Sequence, residues 1–141
     1  MKNVLIDSDV ILDYFIDREP FAEHAAKVIS LCDSNEIRGF VTPVMYSNVY
    51  YILRNIASHA QVIDKLYKLS TFTEVLVIDK NIIMQSLKSG FRDFEDALQN
   101  YSAESHKKID VILTRNVKDY KQSSLAVMTP EQYLKARKAD L

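Results

Sequence analysis

Acidic and amide side chains follow several of the short apolar runs in this chain of 141 residues. Asp7 and Asp9 come directly after the first run, Asn116 stands three positions after a later one, and all three precede helical patterns or turns. Asp93 and Asp96 are three positions apart, so they share one side of a helix. Carboxylates gathered in one cleft raise one another's pKa, and a hard divalent cation relieves that repulsion. Oxygen ligands select Mg²⁺ or Mn²⁺, and an ion held in this way can polarise a phosphodiester and activate water.

Each of these acids also fits an ordinary structural role. Asp7, or Asp9 in its place, can cap the N-terminus of the helix that follows. Asp93 fits an N-cap as well, and Asp96 lies in a first helical turn, where an acid interacts favourably with the helix dipole. Glu95 is expected to point away from the side that Asp93 and Asp96 share, and to be solvated. The sequence alone leaves these alternatives open.

Asn48 is a polar residue on a helix face that is expected to point inward. It lies between Met45 and Ile52 at helical spacing. A polar side chain in that position is either a hydrogen-bonded core asparagine or part of a functional site.

The elements that must position these side chains alternate between strands and helices. Short, uninterrupted apolar runs predict five strands, at 4–6, 39–42, 74–78, 110–114 and 125–128. Helical spacing and start signals predict helices over 10–16, from Pro20, from Pro43, from Ser58, over 80–89, from Asp93 and from Pro130. Fully apolar strands are typical of a parallel sheet covered by helices on both faces. The pattern therefore predicts a single α/β domain over residues 1–141, with a ligand site at the carboxyl ends of the strands.

Composition excludes several classes of protein. Cys32 is the single cysteine, which excludes an internal disulfide framework and a zinc–cysteine site and fits a reducing cytosol. The three histidines lack the spacing of a zinc hydrolase. Asp7 and Asp9 interrupt the N-terminal apolar run, so no signal peptide is predicted, and no apolar stretch is long enough to cross a membrane. A cytoplasmic location is therefore expected.

Charge is balanced overall but unevenly distributed. The chain carries 18 basic and 19 acidic residues. Residues 107–138 contain eight basic and three acidic residues, whereas the first seventy contain seven basic and nine acidic ones. A basic region beside an acidic one suits a polyanion that lies near a metal site, and a solvated helical face is the simpler alternative.

Four segments together resemble the PIN-domain ribonucleases, which include the toxin subunits of bacterial toxin–antitoxin modules. The segments appear in the family's order and are residues 4–13, 50–54, 93–98 and 112–120. The resemblance implies a three-layer α/β/α fold with a central, mainly parallel sheet. It also implies an endonuclease that cleaves single-stranded RNA with Mg²⁺ or Mn²⁺, an antitoxin partner and a homodimer.

By the same resemblance, Asp7 and Asp96 fall on the first and third acidic positions of the family, which hold the metal and carry catalysis. Asn116 falls on the fourth position, and Asp93 and Asp119 are nearby acids that would assist in binding the metal. The resemblance further implies supporting roles for Asn48, Thr114 and Asp9. Of these, Thr114 is expected to face the first metal-site aspartate. The basic residues expected to contact the backbone phosphates of RNA are Arg115, Lys118 and Lys121.

One departure from the family pattern concerns Asn48, because the family usually has Glu there. Asparagine offers a neutral oxygen but removes one negative charge, so weak Mg²⁺ affinity is predicted. The alternative function is therefore a catalytically weakened or inactive PIN domain that binds RNA or protein. A third interpretation rests on Asp7-Ser8-Asp9-Val10, which resembles the start of haloacid-dehalogenase-type phosphatases, with Asp7 as nucleophile and Asp9 as general acid. The Gly-Thr that usually follows in that family is missing here.

Overall fold

Five short parallel strands form the central sheet of the computed structural model, which describes residues 2–106 and 108–139. The strands are β1 (Asn3–Ile6), β2 (Arg38–Val41), β3 (Thr73–Val75), β4 (Val111–Leu113) and β5 (Ala126–Met128). Their order is β3-β2-β1-β4-β5. β1 is central, and in its register Leu5 pairs with Phe40 of β2 on one side and with Ile112 of β4 on the other. The predicted α/β fold with a parallel sheet is confirmed.

Seven α-helices accompany the sheet within the described residues. They are α1 (Ser8–Ile16), α2 (Ala22–Asp33), α3 (Pro43–Leu53), α4 (His59–Phe72), α5 (Lys80–Leu87), α6 (Phe94–Ser105) and α7 (Pro130–Ala139). Contacts divide them into one group of α1 to α4 with α7 and a second pair of α5 with α6. Right-handed crossovers explain this division, because the chain steps outward from β1 to β3 and then returns across the other face to β4. The result is a three-layer α/β/α arrangement.

Several helices begin where the sequence predicts, because their caps are made by side chains. Ser58 and Gln61 form a reciprocal capping box at the start of α4. Thr129 and Gln132 exchange the same pair of hydrogen bonds at α7, with Pro130 in the first helical position. The prediction for α2 is wrong by two residues, since that helix begins at Ala22 rather than at Pro20.

The strands around the centre of the sheet are almost completely buried. Val4, Leu5 and Ile6 of β1 have no exposed surface, and the same holds for all of β4. The predicted strand at 74–78 is shorter in the structure, because β3 lies at the sheet edge and pairs only over Thr73–Val75. Val77, which lies past its end, is 69% exposed.

Helix α3 also departs from expectation. Met45 and Val49 are buried as predicted, but Ile52 and Ile56 are exposed. The inward face of α3 instead continues to Leu53, which is 1% exposed, so Ile52 lies beside that face and Ile56 follows the end of the helix. No helix among the described residues is long and apolar enough to span a membrane.

Candidate active site

The carboxyl ends of β1 and β4, which are neighbouring inner strands, lie side by side at one end of the sheet. The Asp7 amide donates to the carbonyl of Leu113 at 2.9 Å, which extends the pairing of the two strands by one residue. A cleft of about 380 Å³ opens there. Its lining is rich in oxygen atoms and consists of Asp7, Ser8, Asp9, Leu12, Arg18, Asn48, Ile52, Asp93, Glu95, Asp96, Gln99, Asn116 and Asp119. The fold therefore brings together acids that are up to 112 residues apart.

Asp7 lies at the bottom of this cleft and is 9% exposed. It is the N-cap of α1, and its Oδ1 accepts from the Ser8 amide at 2.8 Å. The Tyr120 hydroxyl donates to its Oδ2 at 3.1 Å. Burial raises the pKa of Asp7 to about 7, and the neighbouring carboxylate of Asp9 adds to the effect. The capping role and a role in the site are therefore compatible, because the cap uses one oxygen.

Asp9 organises the segment that follows β4. Its Oδ2 accepts from the Thr114 hydroxyl at 3.3 Å, from the Arg115 amide at 3.1 Å and from Asn116 Nδ2 at 3.1 Å. Its other oxygen, Oδ1, is buried and has no hydrogen-bond partner within the described residues. Burial raises the pKa of Asp9, whereas the Arg115 amide opposes that rise. The bond through Nδ2 orients the Asn116 amide, so its carbonyl oxygen is the atom left to face a ligand.

The N-terminus of α6 contributes the second group of acids. Asp93 is the N-cap of α6 and accepts from the Asp96 amide at 2.9 Å, as the sequence predicts. Burial raises the pKa of Asp96 to about 7, with Asp93 and Asp119 adding to the effect. A hydrogen bond from Tyr120 acts in the opposite direction. The Tyr120 hydroxyl, which donates to Asp7, therefore lies close to both of the acids whose pKa values are raised to about 7.

Asn48 of α3 is directed into the same cleft. Its Nδ2 donates to Glu95 Oε2 at 2.7 Å. The expectation that Glu95 is solvated is confirmed, since the residue is exposed, but the expectation that it points away is wrong, because the first turn of α6 lies directly over the cleft. From that position Asp96 reaches one side of the cleft, and Glu95 reaches across to α3.

The predicted phosphate-binding residues are in two different environments. Arg115 forms hydrogen bonds to Asp13 from Nε at 2.7 Å and from Nη2 at 3.2 Å, and its guanidinium lies over the ring of Phe21. Asp13 is 1% exposed and also pairs with Arg18 at 3.6 Å. The Arg115 guanidinium is therefore held against Asp13 and Phe21, and Arg115 is not among the residues that line the cleft.

Lys118 and Lys121 line a second cavity of about 420 Å³. The remaining lining residues are Phe91, Arg92, Asp93, Asp96, Asp119 and Gln122. Asp93, Asp96 and Asp119 line both cavities, so the two share a wall. Basic side chains therefore stand directly beside the acidic cleft.

The comparison with known families decides what kind of fold surrounds this cleft. A family model described as PIN domain matches residues 3–118. The chain belongs to the PIN domain family. This membership favours the PIN interpretation of the first acidic segment over the phosphatase one.

Individual relatives of this PIN domain agree with the assignment. Ribonuclease VapC1 of Aquifex aeolicus (strain VF5) is 25% identical over 143 residues, covering 94% of this chain and 93% of that protein. A toxin-antitoxin complex from Klebsiella pneumoniae contains a similar fold, with a TM-score of 0.68 and 21% identity over 90% of this chain and 97% of that chain. VapC20 of Mycobacterium tuberculosis, described as a sarcin-ricin loop cleaving toxin, has a TM-score of 0.59 and 14% identity over 77% and 86% of the two chains.

Sequence reasoning missed two residues of this PIN domain site. Tyr120 is 1% exposed and donates to Asp7. It ends the segment 112–120 that resembles the family, but the resemblance gives it no role of its own. Arg18 lines the cleft and is held there by Asp13. The one signal available was Asp13 itself, a charged residue within the apolar pattern of α1, since a buried acid requires a partner.

The donor chemistry of the cleft fits a hard divalent cation. Apart from the Arg18 guanidinium, its polar lining supplies carboxylate, amide and hydroxyl oxygens, and the Ser8 hydroxyl and Asp9 Oδ1 are buried there without a partner among the described residues. Neighbouring carboxylates raise the pKa of both Asp7 and Asp96, and a cation would relieve that repulsion. Within residues 2–106 and 108–139, no three Asp, Glu, His or Cys side chains already stand together as a complete ligand set.

Proposed function

We propose that this PIN domain is a metal-dependent endoribonuclease that hydrolyses phosphodiester bonds of single-stranded RNA, of the kind found in toxin–antitoxin modules. The observation that carries the proposal is the convergence of Asp7, Asp96, Asn116 and Asp119 in one cleft at the carboxyl ends of β1 and β4. The names of the relatives support it, because one is a ribonuclease and another cleaves the sarcin-ricin loop.

Asp7 and Asp96 are the proposed principal ligands of Mg²⁺ or Mn²⁺, with Asn116, Asp93 and Asp119 assisting. When bound, the ion supplies a Lewis acid that polarises the phosphodiester and lowers the pKa of water. Asp7 lies deepest of these residues and is anchored by its bond from Ser8, so its position is fixed before any ligand arrives. Preorganised ligands of this kind need little rearrangement during the reaction.

Two further residues hold the ligands in place. Tyr120 donates to Asp7 and thereby favours its ionised form, which is the form that binds a cation. Asp9 accepts three hydrogen bonds from the segment after β4, including those from Thr114 and Asn116, so it fixes where the Asn116 oxygen points. Residues that orient ligands in this way usually affect metal affinity almost as strongly as the ligands.

The proposed path of the RNA runs from the acidic cleft into the neighbouring cavity. Lys118 and Lys121 line that cavity with Arg92, and they are the cations best placed to contact phosphates beyond the cleaved bond. The proposal also includes an antitoxin partner, a homodimer and a cytoplasmic location. Support for the antitoxin comes from a structural neighbour that was solved as a toxin-antitoxin complex.

The test is cleavage of a structured RNA with exposed single-stranded loops, in Mn²⁺, by the wild type and by Asp7→Asn and Asp96→Asn. Asp64→Asn is the matched control, because Asp64 is an exposed acid on α4 that pairs with Lys68 outside the cleft. We expect cleavage by the wild type and by Asp64→Asn, no cleavage by the two cleft variants, and no cleavage by any of them in excess chelator.

Retained cleavage by Asp7→Asn would refute the assignment of the site. RNA binding without cleavage by the wild type in any divalent metal would instead support the alternative function, an inactive binding module. That alternative draws on one observation, the neutral Asn48 on the α3 side of the cleft.

A further inference from the structure

The negative charge on the α3 side of the cleft comes from another helix. Asn48 is neutral, but its amide nitrogen holds Glu95 Oε2 at 2.7 Å, across the gap between α3 and α6. Both side chains line the cleft that contains Asp7 and Asp96. The Glu95 carboxylate thus lies beside Asn48, whose own side chain is a neutral amide.

We propose that Glu95 is a ligand of the divalent cation in this cleft and supplies from α6 the carboxylate that position 48 lacks. Asn48 is then a positioning residue that directs Glu95 into the cleft. This inference rests on the proposed function, since it names a further residue for the same metal site. It replaces the expectation of weak Mg²⁺ affinity. That expectation considered the negative charge missing at Asn48 but not the negative charge that Glu95 supplies.

The charges around Glu95 support this role. The salt bridges within residues 2–106 and 108–139 leave Glu95 without a lysine or arginine partner. Instead its carboxylate shares the cleft lining with the acids Asp7 and Asp96. A carboxylate held toward like charges is unfavourable unless a cation lies between them.

A simple role in helix capping does not explain the geometry. An acid in the first turn interacts favourably with the helix dipole whichever way its side chain points. At α6 the cap is made by Asp93, and Asp96 already supplies a first-turn acid. The bond from Asn48 turns the Glu95 side chain across the cleft, and neither the cap nor the dipole requires that turn.

The experiment measures Mn²⁺ affinity by isothermal titration calorimetry, independently of any cleavage. Glu95→Gln keeps the shape of the side chain and an oxygen that can accept from Asn48, so it tests the charge alone. Glu23→Gln is the matched control, because Glu23 is an exposed glutamate on α2 that lines neither cavity. We expect Glu95→Gln to weaken Mn²⁺ binding roughly tenfold or more, with Glu23→Gln equal to the wild type.

A double variant then moves the carboxylate from one helix to the other. Asn48→Glu combined with Glu95→Gln restores the charge on α3, and we expect it to recover most of the Mn²⁺ affinity that Glu95→Gln loses. Circular dichroism and thermal unfolding of each variant in chelator verify that the fold is retained.

The outcomes separate this inference from the proposed function. If the wild type binds Mn²⁺ and Glu95→Gln binds within about twofold of it, Glu95 is not a ligand and the inference fails alone. If Glu95→Gln loses affinity and the double variant recovers it while the wild type cleaves no RNA, the ligand stands and the ribonuclease proposal fails. A wild type that binds no Mn²⁺ overturns both.

Discussion

Replacing Asp7 by asparagine should make the metal-free protein more stable at neutral pH while abolishing its activity. Asp7 is 9% exposed, and burial raises its pKa from 3.8 to about 7. Above pH 7 the folded protein therefore carries the free-energy cost of an ionised, buried Asp7 carboxylate, whereas the unfolded chain keeps that carboxylate in water. Asparagine keeps one oxygen that can accept from Ser8, and its amide nitrogen can donate to the Tyr120 hydroxyl at the place of Asp7 Oδ2. It carries no charge, so it escapes the penalty.

The size of the effect follows from the two pKa values. A carboxyl group whose folded pKa is raised contributes most to stability below its unfolded pKa, and that contribution is lost as the pH rises through its folded pKa. The advantage of Asp7→Asn over the wild type should accordingly grow from about 1 kcal/mol near about pH 4.5 to at most about 4 kcal/mol near about pH 8. Relaxation around Asp7 and its coupling to Asp9 make the upper value a limit.

The assay is urea unfolding of both proteins in excess chelator at several pH values, followed by circular dichroism. Asp64→Asn serves as the control, since it makes the same substitution at an exposed acid outside the cleft. Adding Mn²⁺ at pH 8 should stabilise the wild type and leave Asp7→Asn unchanged, because binding to the folded state alone raises its stability. The reasoning would be refuted if Asp7→Asn were no more stable than the wild type at pH 8. It would also be refuted if the difference in free energy of unfolding between the two proteins were the same at low and at high pH.

Three further predictions follow from the surroundings of the cleft. Asp13→Asn should lower the free energy of unfolding in urea by about 3 kcal/mol, because it leaves Arg18 and Arg115 without their buried ionised partner. A loss below about 0.5 kcal/mol would contradict this. Tyr120→Phe should move the pH profile of Mn²⁺-dependent cleavage to higher pH, since the lost hydroxyl favours ionised carboxylates, and an unmoved profile would count against that role. Lys118→Gln and Lys121→Gln should each reduce the slope of log binding constant against log salt concentration for RNA by about one unit. Lys27→Gln on α2 is the control that should leave this slope unchanged. Slopes equal to that of the wild type for the first two variants would exclude phosphate contacts.

Local signals in the sequence were enough to predict most of the fold. Apolar runs located β1 and β4, and side-chain caps located the starts of α4 and α7, because both depend on neighbouring residues only. The end of β3 could not be predicted in this way. Its apolar run continues to 78, but at the edge of the sheet only one neighbouring strand is available for pairing.

The acids of the site were predictable from their places after strands and at a helix start, whereas their partners were not. Glu95 was assigned to solvent because adjacent helical residues point in different directions, which is correct along one helix. The approach of α3 to α6 provides a donor from Asn48 that turns the Glu95 side chain into the cleft, although the residue stays exposed. Tyr120 was missed for the same reason, since its role depends on a contact with Asp7 113 positions away.

The hydrogen bond from the Asp7 amide to Leu113 links two segments that are synthesised far apart in time. β1 is made before β4, the strand with which it pairs at the centre of the sheet. Asn116 and the Thr114 hydroxyl, which arrange the cleft around Asp9, follow β4 directly. A chain still being translated therefore holds Asp7 without the Thr114 and Asn116 side chains until residue 116 has emerged, so the cleft is assembled only after β4 has paired with β1.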